Sequence, residues 1–480
     1  MTRLIPPLDL AFLWIDRPET PANVGVIMLF EPAPGSTAAS AARQVIRAYR
    51  SAHPAPPFDC VPDLVSLGLP HWRAAGDVDL RDHVRHEHLP APGSLEQLCS
   101  HVARLHEEPL PRTRPLFRVH AIDGLESGQL AIYLKSHHAS WDGRYALQRV
   151  FGNLAPEPGP VQPPFFAAHG NPAPEDGHRA SLADMATGVR GLVSQFAGIR
   201  ELVTRLSAQT RADRERGELR GNRPFAGPHT RFNDPVGPRR SYSCFSLPLE
   251  EMRRIARGCG GTLNDVALAV VDAGVERYLA ALGERPRQPL VAMCPVSLRE
   301  SGDMEATTKA ATLFVPLATP RAGSERRLQE IVANTRAAKD EFNALSREAA
   351  LEYAVLAFGL WFASSTLGLG AVTRPVINLV VSNVGAIDGP RYLGKHRLVA
   401  AYPVSMLADP AGLNVTVMSL GDQMDFGLIA NATAVPDAGE LATSCLEAFQ
   451  GLGRRARRAS PAGAASTRAR RRSGTRRVSP

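Results

Sequence analysis

The segment Tyr133-Leu-Lys-Ser-His-His-Ala-Ser-Trp-Asp-Gly-Arg144 concentrates groups suited to proton transfer. An apolar, strand-like run ends in His137 and His138. Asp142 follows four residues after His138, and Gly143 comes next. Neutral imidazole has an unperturbed pKa near 6.5, so it is a competent general base at neutral pH. At a strand end the backbone holds such a ring rigidly while the ring itself projects into a cleft. Gly143 permits the backbone conformation of a turn. Two other readings fit the same residues. The paired histidines could be packed structural residues, or two His and an Asp could bind a metal. Against the metal, no further His or acid stands at helical ligand spacing nearby.

Elements on both sides must position that segment. Val24 to Phe30 and Gln129 to Ser136 are rich in β-branched and aliphatic residues and read as strands. Leu95, Leu98, Val102 and Leu105 have helical spacing, with a capping-box start at Ser94 and Gln97. These elements make up an N-terminal domain, residues 1–155. Prolines between Pro156 and Pro174 prevent regular structure. Apolar residues then recur at steps of three and four from Leu182 to Leu206, predicting an amphipathic helix roughly 39 Å long. With the polar, Arg-rich stretch after it, this makes residues 156–227 a crossover and linker.

A second domain, 228–452, mixes strands (Ser241–Leu247, Leu290–Val296, Thr312–Leu317, Ile377–Val384, Leu398–Pro403) with helices (Glu250–Ala256, Asn264–Leu282). Gly421-Asp422 joins Leu413–Leu420 to Met424–Ala430 as a hairpin. Asp437 and Glu440 start a closing helix. The order lacks regular βαβ alternation, so a mixed or largely antiparallel α/β sandwich is expected. Neither GxGxxG nor GxxxxGK[ST] occurs, which argues against a nucleotide phosphate loop.

Charge and cysteines narrow the class. Ten of the 55 basic residues lie in 453–480, which has no acid; the remaining 45 face 47 acids. The basicity therefore belongs to a tail, expected to be disordered, and the body is nearly neutral. No aromatics are interleaved there for base stacking, which argues against nucleic acid as a partner. Six scattered cysteines without CxxC, and no secretory leader, point to free thiols in the cytoplasm. Ala354 to Thr373 is uncharged and approaches the length of a membrane span. Its Ser, Thr and Gly content favours an interfacial helix or a channel lining, with ordinary core as the plain alternative.

His138-Ala-Ser-Trp-Asp142-Gly143 matches the HxxxDG motif of coenzyme-A-dependent acyltransferases, and His137 makes it the longer HHxxxDG. The chain resembles one branch of these, the bacterial wax ester synthase/diacylglycerol acyltransferase family, over roughly residues 4–450. The resemblance rests on Pro7-Leu-Asp-Leu-Ala-Phe12, Glu19-Thr-Pro21, Pro115-Leu-Phe117 and Gly261-Thr-Leu-Asn-Asp265. Pro295-Val-Ser-Leu-Arg299, Val381-Ser-Asn-Val384, Tyr402-Pro-Val-Ser405 and Leu413-Asn-Val-Thr416 then follow in the family's order. Departures occur at Asn23, where the family often has His, at Arg144 and Tyr145, and in the turn from Ser382 to Pro390.

The resemblance implies two similar chloramphenicol-acetyltransferase-like domains, α/β mixed, facing across a central channel. It implies transfer of a long-chain acyl group from acyl-CoA to diacylglycerol or a fatty alcohol, with acyl-CoA as co-substrate and no cofactor. His138 would be the general base, His137 a support, and Asp142, beside Gly143, the holder of the loop and ring. Asn264 would donate to the oxyanion or, alternatively, cap its helix. Asp265 would order the helix start, and Ser382 and Asn383 would border the channel. Peripheral contact with a membrane or lipid droplet, through apolar segments and the basic tail, is the expected location of work. Amide-forming condensation and a degenerate lipid-binding protein are the competing classes.

Overall fold

The computed structural model describes residues 3–65, 69–140, 143–167, 215, 223–297, 310–344, 374–409 and 411–459. The helix expected over 182–206, the uncharged stretch 354–373, Trp141, Asp142 and the tail from 460 onward lie outside the described residues. Within them, no helix is long and apolar enough to cross a membrane.

Two six-stranded sheets carry the architecture. In the first, the strand order is Tyr392–Leu393, His396–Val404, Asn23–Glu31, Leu130–His137, Phe117–Asp123 and Val84–His88. All its neighbours are antiparallel except the last pair. The second runs Ala310–Pro316, Val291–Ser297, Leu379–Ile387, Leu413–Leu420, Gln423–Asn431 and Arg240–Pro248. Its Leu379–Ile387 strand is parallel to both neighbours and the other pairs are antiparallel. This is the expected mixed α/β architecture. Leu130–His137 is buried along its whole length, so it reads as a nearly continuous apolar run rather than an alternating one.

Helices cover both sheets. Ala38–Arg50 buries Val45 and Ile46 in a core shared with Phe117 and Val119 of the first sheet. Leu249–Cys259, Leu263–Ala281 and Ala438–Ala459 pack in one core with the second sheet. Leu95–Glu107, with the expected Ser94–Gln97 capping box, buries Leu98 and Val102 among residues of both sheets. Its Cys99 thiol lies 3.5 Å from that of Cys244 on the second sheet. The Pro-rich stretch after Ala155 does not leave the first sheet at once. Phe165 and Phe166 are buried against Phe58 and Phe117.

Two elements depart from the expected division of the chain. Tyr392–Leu393 and His396–Val404, read as part of the second domain, extend the first sheet instead. The crossing is tight: a Cβ on Gly427 would lie 1.8 Å from the Pro403 carbonyl oxygen. Tyr242 Oη also donates to that carbonyl at 3.0 Å. His396–Val404 therefore pairs along its edge with one sheet while its face packs on the other. The closing helix also continues past 452, to Ala459.

Candidate active site

The strand Leu130–His137 delivers the motif to the junction of the two sheets. His138 opens a short 3-10 turn, His138–Ser140, and Gly143 opens the helix Gly143–Phe151. Asp142 lies outside the described residues. The His138 backbone N–H donates to Ala22 O at 2.8 Å, and its ring stacks on Phe12 with centroids 3.9 Å apart. Phe12 belongs to the helix Pro7–Ile15.

His137 faces the other way. It is 1% exposed, its Nδ1 accepts the Ala139 N–H at 3.1 Å, and its Nε2 lies 3.5 Å from Asp16 Oδ2. Accepting at Nδ1 leaves the proton on Nε2, directed at the carboxylate. Asp16 also accepts from the Ala22 N–H and from Arg112. Burial pushes the Asp16 carboxyl pKa up, but His137, Ala22 and Arg112 together hold it below its usual value. The two adjacent histidines thus divide. His137 is fixed in a buried polar support, and His138 lines a cavity.

A second support lies beneath the strand. Lys135 is fully buried, and its Nζ donates to Leu105 O at 2.5 Å and Glu108 O at 2.6 Å. Asn23 Nδ2 donates to His106 O and Glu108 O. These donors satisfy carbonyls left open at the C-terminus of the helix Leu95–Glu107. Burial lowers the Lys135 pKa to about 7. His106 Nε2 donates to Ser405 O at 3.0 Å, so its Nδ1 accepts the Tyr133 hydroxyl at 2.6 Å. Burial holds the His106 pKa well below its usual value, keeping the ring neutral.

The cavity has a volume of about 210 Å³ and lies between the sheets. Val24, Val26 and Leu134 line it from the first sheet, Val380 and Met418 from the second, and Ala146, Leu147 and Val150 from the helix Gly143–Phe151. Its polar lining is His138, Ser382, Ser405, Asn414 and Thr416. Asn414 ties three of these together, donating to Ser405 Oγ at 3.0 Å and accepting from Thr416 Oγ1 at 2.9 Å. Because Ser405 Oγ accepts that bond, its own proton is left to donate. The sequence marks Asn414 within a resembling segment but assigns it no role.

Asn264 and Asn383 form a pair of their own. Asn383 Nδ2 donates to Asn264 Oδ1 at 2.6 Å, and both residues are exposed. Neither lines the cavity, whereas the adjacent Ser382 does. The capping alternative for Asn264 fails, because Thr262 is the cap of the helix Leu263–Ala281. Asp265 is buried, with Oδ2 accepting from Thr262 N–H and Oγ1 and Oδ1 accepting from Thr335 Oγ1. These bonds tie it to the capping residue Thr262 and to Thr335 of a neighbouring helix. Among the described residues, no group of three or more His, Cys, Asp or Glu is arranged to hold a metal ion.

Comparison with known proteins places this geometry. Residues 5–267 match the wax ester synthase/diacylglycerol acyltransferase catalytic domain, and residues 308–453 match the WS/DGAT C-terminal domain. A Mycobacterium tuberculosis protein named as a diacylglycerol O-acyltransferase is 32% identical, over 90% of this chain and 95% of that protein. A similarly named Mycobacterium bovis protein is 33% identical over 89% and 86%. The wax ester synthase/diacylglycerol acyltransferase of Marinobacter aquaeolei superimposes with a TM-score of 0.75 at 26% identity, covering 95% of this chain and 99% of that one. The first condensation domain of the calcium-dependent antibiotic synthetase shares the fold at a TM-score of 0.56 and 16% identity, covering 95% and 96%. Fold and family matches together define an acyl-CoA-dependent acyltransferase. The chain belongs to the wax ester synthase/diacylglycerol acyltransferase family.

Proposed function

We propose that the protein transfers a long-chain acyl group from acyl-CoA to the hydroxyl of diacylglycerol or a fatty alcohol, with His138 as general base. One observation carries this reading: the His138 ring lines an otherwise largely apolar cavity between the sheets. The acceptor hydroxyl attacks the thioester carbonyl as His138 takes its proton. Collapse of the tetrahedral intermediate breaks the C–S bond, and His138 returns the proton to the departing thiolate. Asp142 is assigned to the motif on the family resemblance alone, and Gly143 opens the following helix. Asn264 lies outside the cavity lining but is bonded to Asn383, the neighbour of the cavity-lining Ser382, and we assign its amide nitrogen as the oxyanion donor. Ser382 borders the site, and Asn383 next to it holds Asn264. Acyl-CoA is a co-substrate, and no other cofactor takes part.

Apolar substrates and products also call for contact with a lipid surface. We assign that contact to the Arg-rich tail, since each basic residue near an anionic membrane contributes about 1 kcal/mol. The test of the function is product analysis by mass spectrometry, with one long-chain acyl-CoA and a panel of acceptors. Triacylglycerol or wax ester supports the proposal, whereas product with amines alone favours condensation chemistry.

A further inference from the structure

The cavity beside His138 has a neighbour. A void of about 10 Å³ lies deeper in the first sheet, lined by Met28, Phe30, Ile132 and Leu154 among others. Leu134 and Val150 line both spaces. Both side chains are buried, at 2% and 5% exposure.

The sheet register gives this arrangement a direction. Val24 pairs with Ser136, Val26 with Leu134, and Met28 with Ile132. Alternate residues of a strand share one face, so these pairs form a ladder leading away from His138, about 7 Å per rung. The rung Val26–Leu134 belongs to the cavity, and both members of the next, Met28–Ile132, line the void. Above the ladder, Ala146, Leu147 and Val150 close the cavity from one face of the helix Gly143–Phe151.

Resting on the proposed function, we infer that a single alkyl chain of one substrate lies along this ladder, and that Leu134 and Val150 form the stop that sets its maximum length. The ladder is apolar and begins at the reacting centre. Beyond the stop, the void gives longer chains space only when those two side chains are reduced. The void is small, so the room gained by trimming the stop comes mainly from the removed methyl groups and should admit about one or two further methylenes. Each buried methylene contributes about fourfold in binding.

The test varies chain length in two panels, acyl-CoAs with a fixed alcohol and alcohols with a fixed acyl-CoA. Wild-type transfer in either panel first establishes the proposed function independently of the stop. Val150→Ala should then raise the ratio of kcat/KM for octadecyl over dodecyl chains about tenfold in one panel. Val150→Phe should lower the same ratio. Leu134→Ala should act like Val150→Ala; if it fails to fold, the two Val150 variants carry the test. The panel that responds identifies the substrate whose chain lies on the ladder. Folded, active Val150 variants with wild-type ratios in both panels overturn the inference.

Discussion

The rings of Phe12 and His138 lie nearly parallel, 19° between planes and 3.9 Å between centroids, although the residues are far apart in the chain. The stack orients the imidazole from one face, while the strand end and the bond to Ala22 O fix its backbone. Phe12→Leu keeps an apolar group of similar bulk but removes the aromatic face, whose pairing contributes about 0.5–1.5 kcal/mol. Turnover should fall about three- to tenfold, with KM little changed and the protein folded. Steady-state kinetics check this, and an unchanged kcat would remove Phe12 from the positioning of His138.

Asn264 now has a sharper test than its sequence allowed. Thr262 supplies the cap, so Asn264→Asp leaves the helix start intact. The carboxylate can still accept from Asn383 Nδ2, but it cannot donate to an oxyanion. The variant should fold normally and lose about a hundredfold or more in kcat. Thermal unfolding and kinetics on one preparation decide this. Kinetics like wild type would assign Asn264 to its contact with Asn383 alone.

Asp16 gives a pH dependence of stability. Its folded pKa lies below the reference value of 3.8. The stability it contributes is therefore fully present above about pH 4 and lost as pH falls through the folded pKa. Asp16→Asn should lower Tm at neutral pH and flatten the further decline below pH 4. Melting curves for both proteins from neutral to acid pH test the sign. Parallel declines would show that the His137–Asp16–Arg112 group does not favour the charged carboxylate.

The tail is tested by truncation after Ala459, where the closing helix ends. Removing residues 460–480 deletes six Arg and no acid. Binding to anionic vesicles should weaken, and much of its salt dependence should disappear, because screening acts over about 10 Å at 0.1 M salt. Sedimentation at low and high salt measures this. Equal binding by both proteins would reject the tail as an anchor.

What the sequence revealed followed how locally each feature is encoded. The strand ending at His137, the Gly421-Asp422 hairpin and the Ser94 capping box depend on neighbours a few residues apart, and all appear as expected. The helix Ala38–Arg50 escaped notice because its buried face includes Ala41 and Ala42, whose apolar signal is weak. The placement of His396–Val404 in the first sheet depends on pairing with residues more than 360 positions away. No periodicity within the strand reports that.

The site was legible to the same degree. The motif itself marked His138, but not what distinguishes it from His137. That distinction comes from Phe12, Asp16 and Arg112, which reach the motif only through folding. Lys135 places a charge within a buried strand. Its partners are carbonyls at a helix end, and backbone acceptors leave no mark in a sequence.

The most direct test of the account is one assay of wild type and His138→Ala with a long-chain acyl-CoA and an acceptor alcohol, following ester by mass spectrometry. The account predicts ester from wild type and a loss on the order of 10²–10⁴-fold in the variant, with the folded state retained. Near-wild-type ester formation by His138→Ala, with an unchanged pH profile, would contradict it.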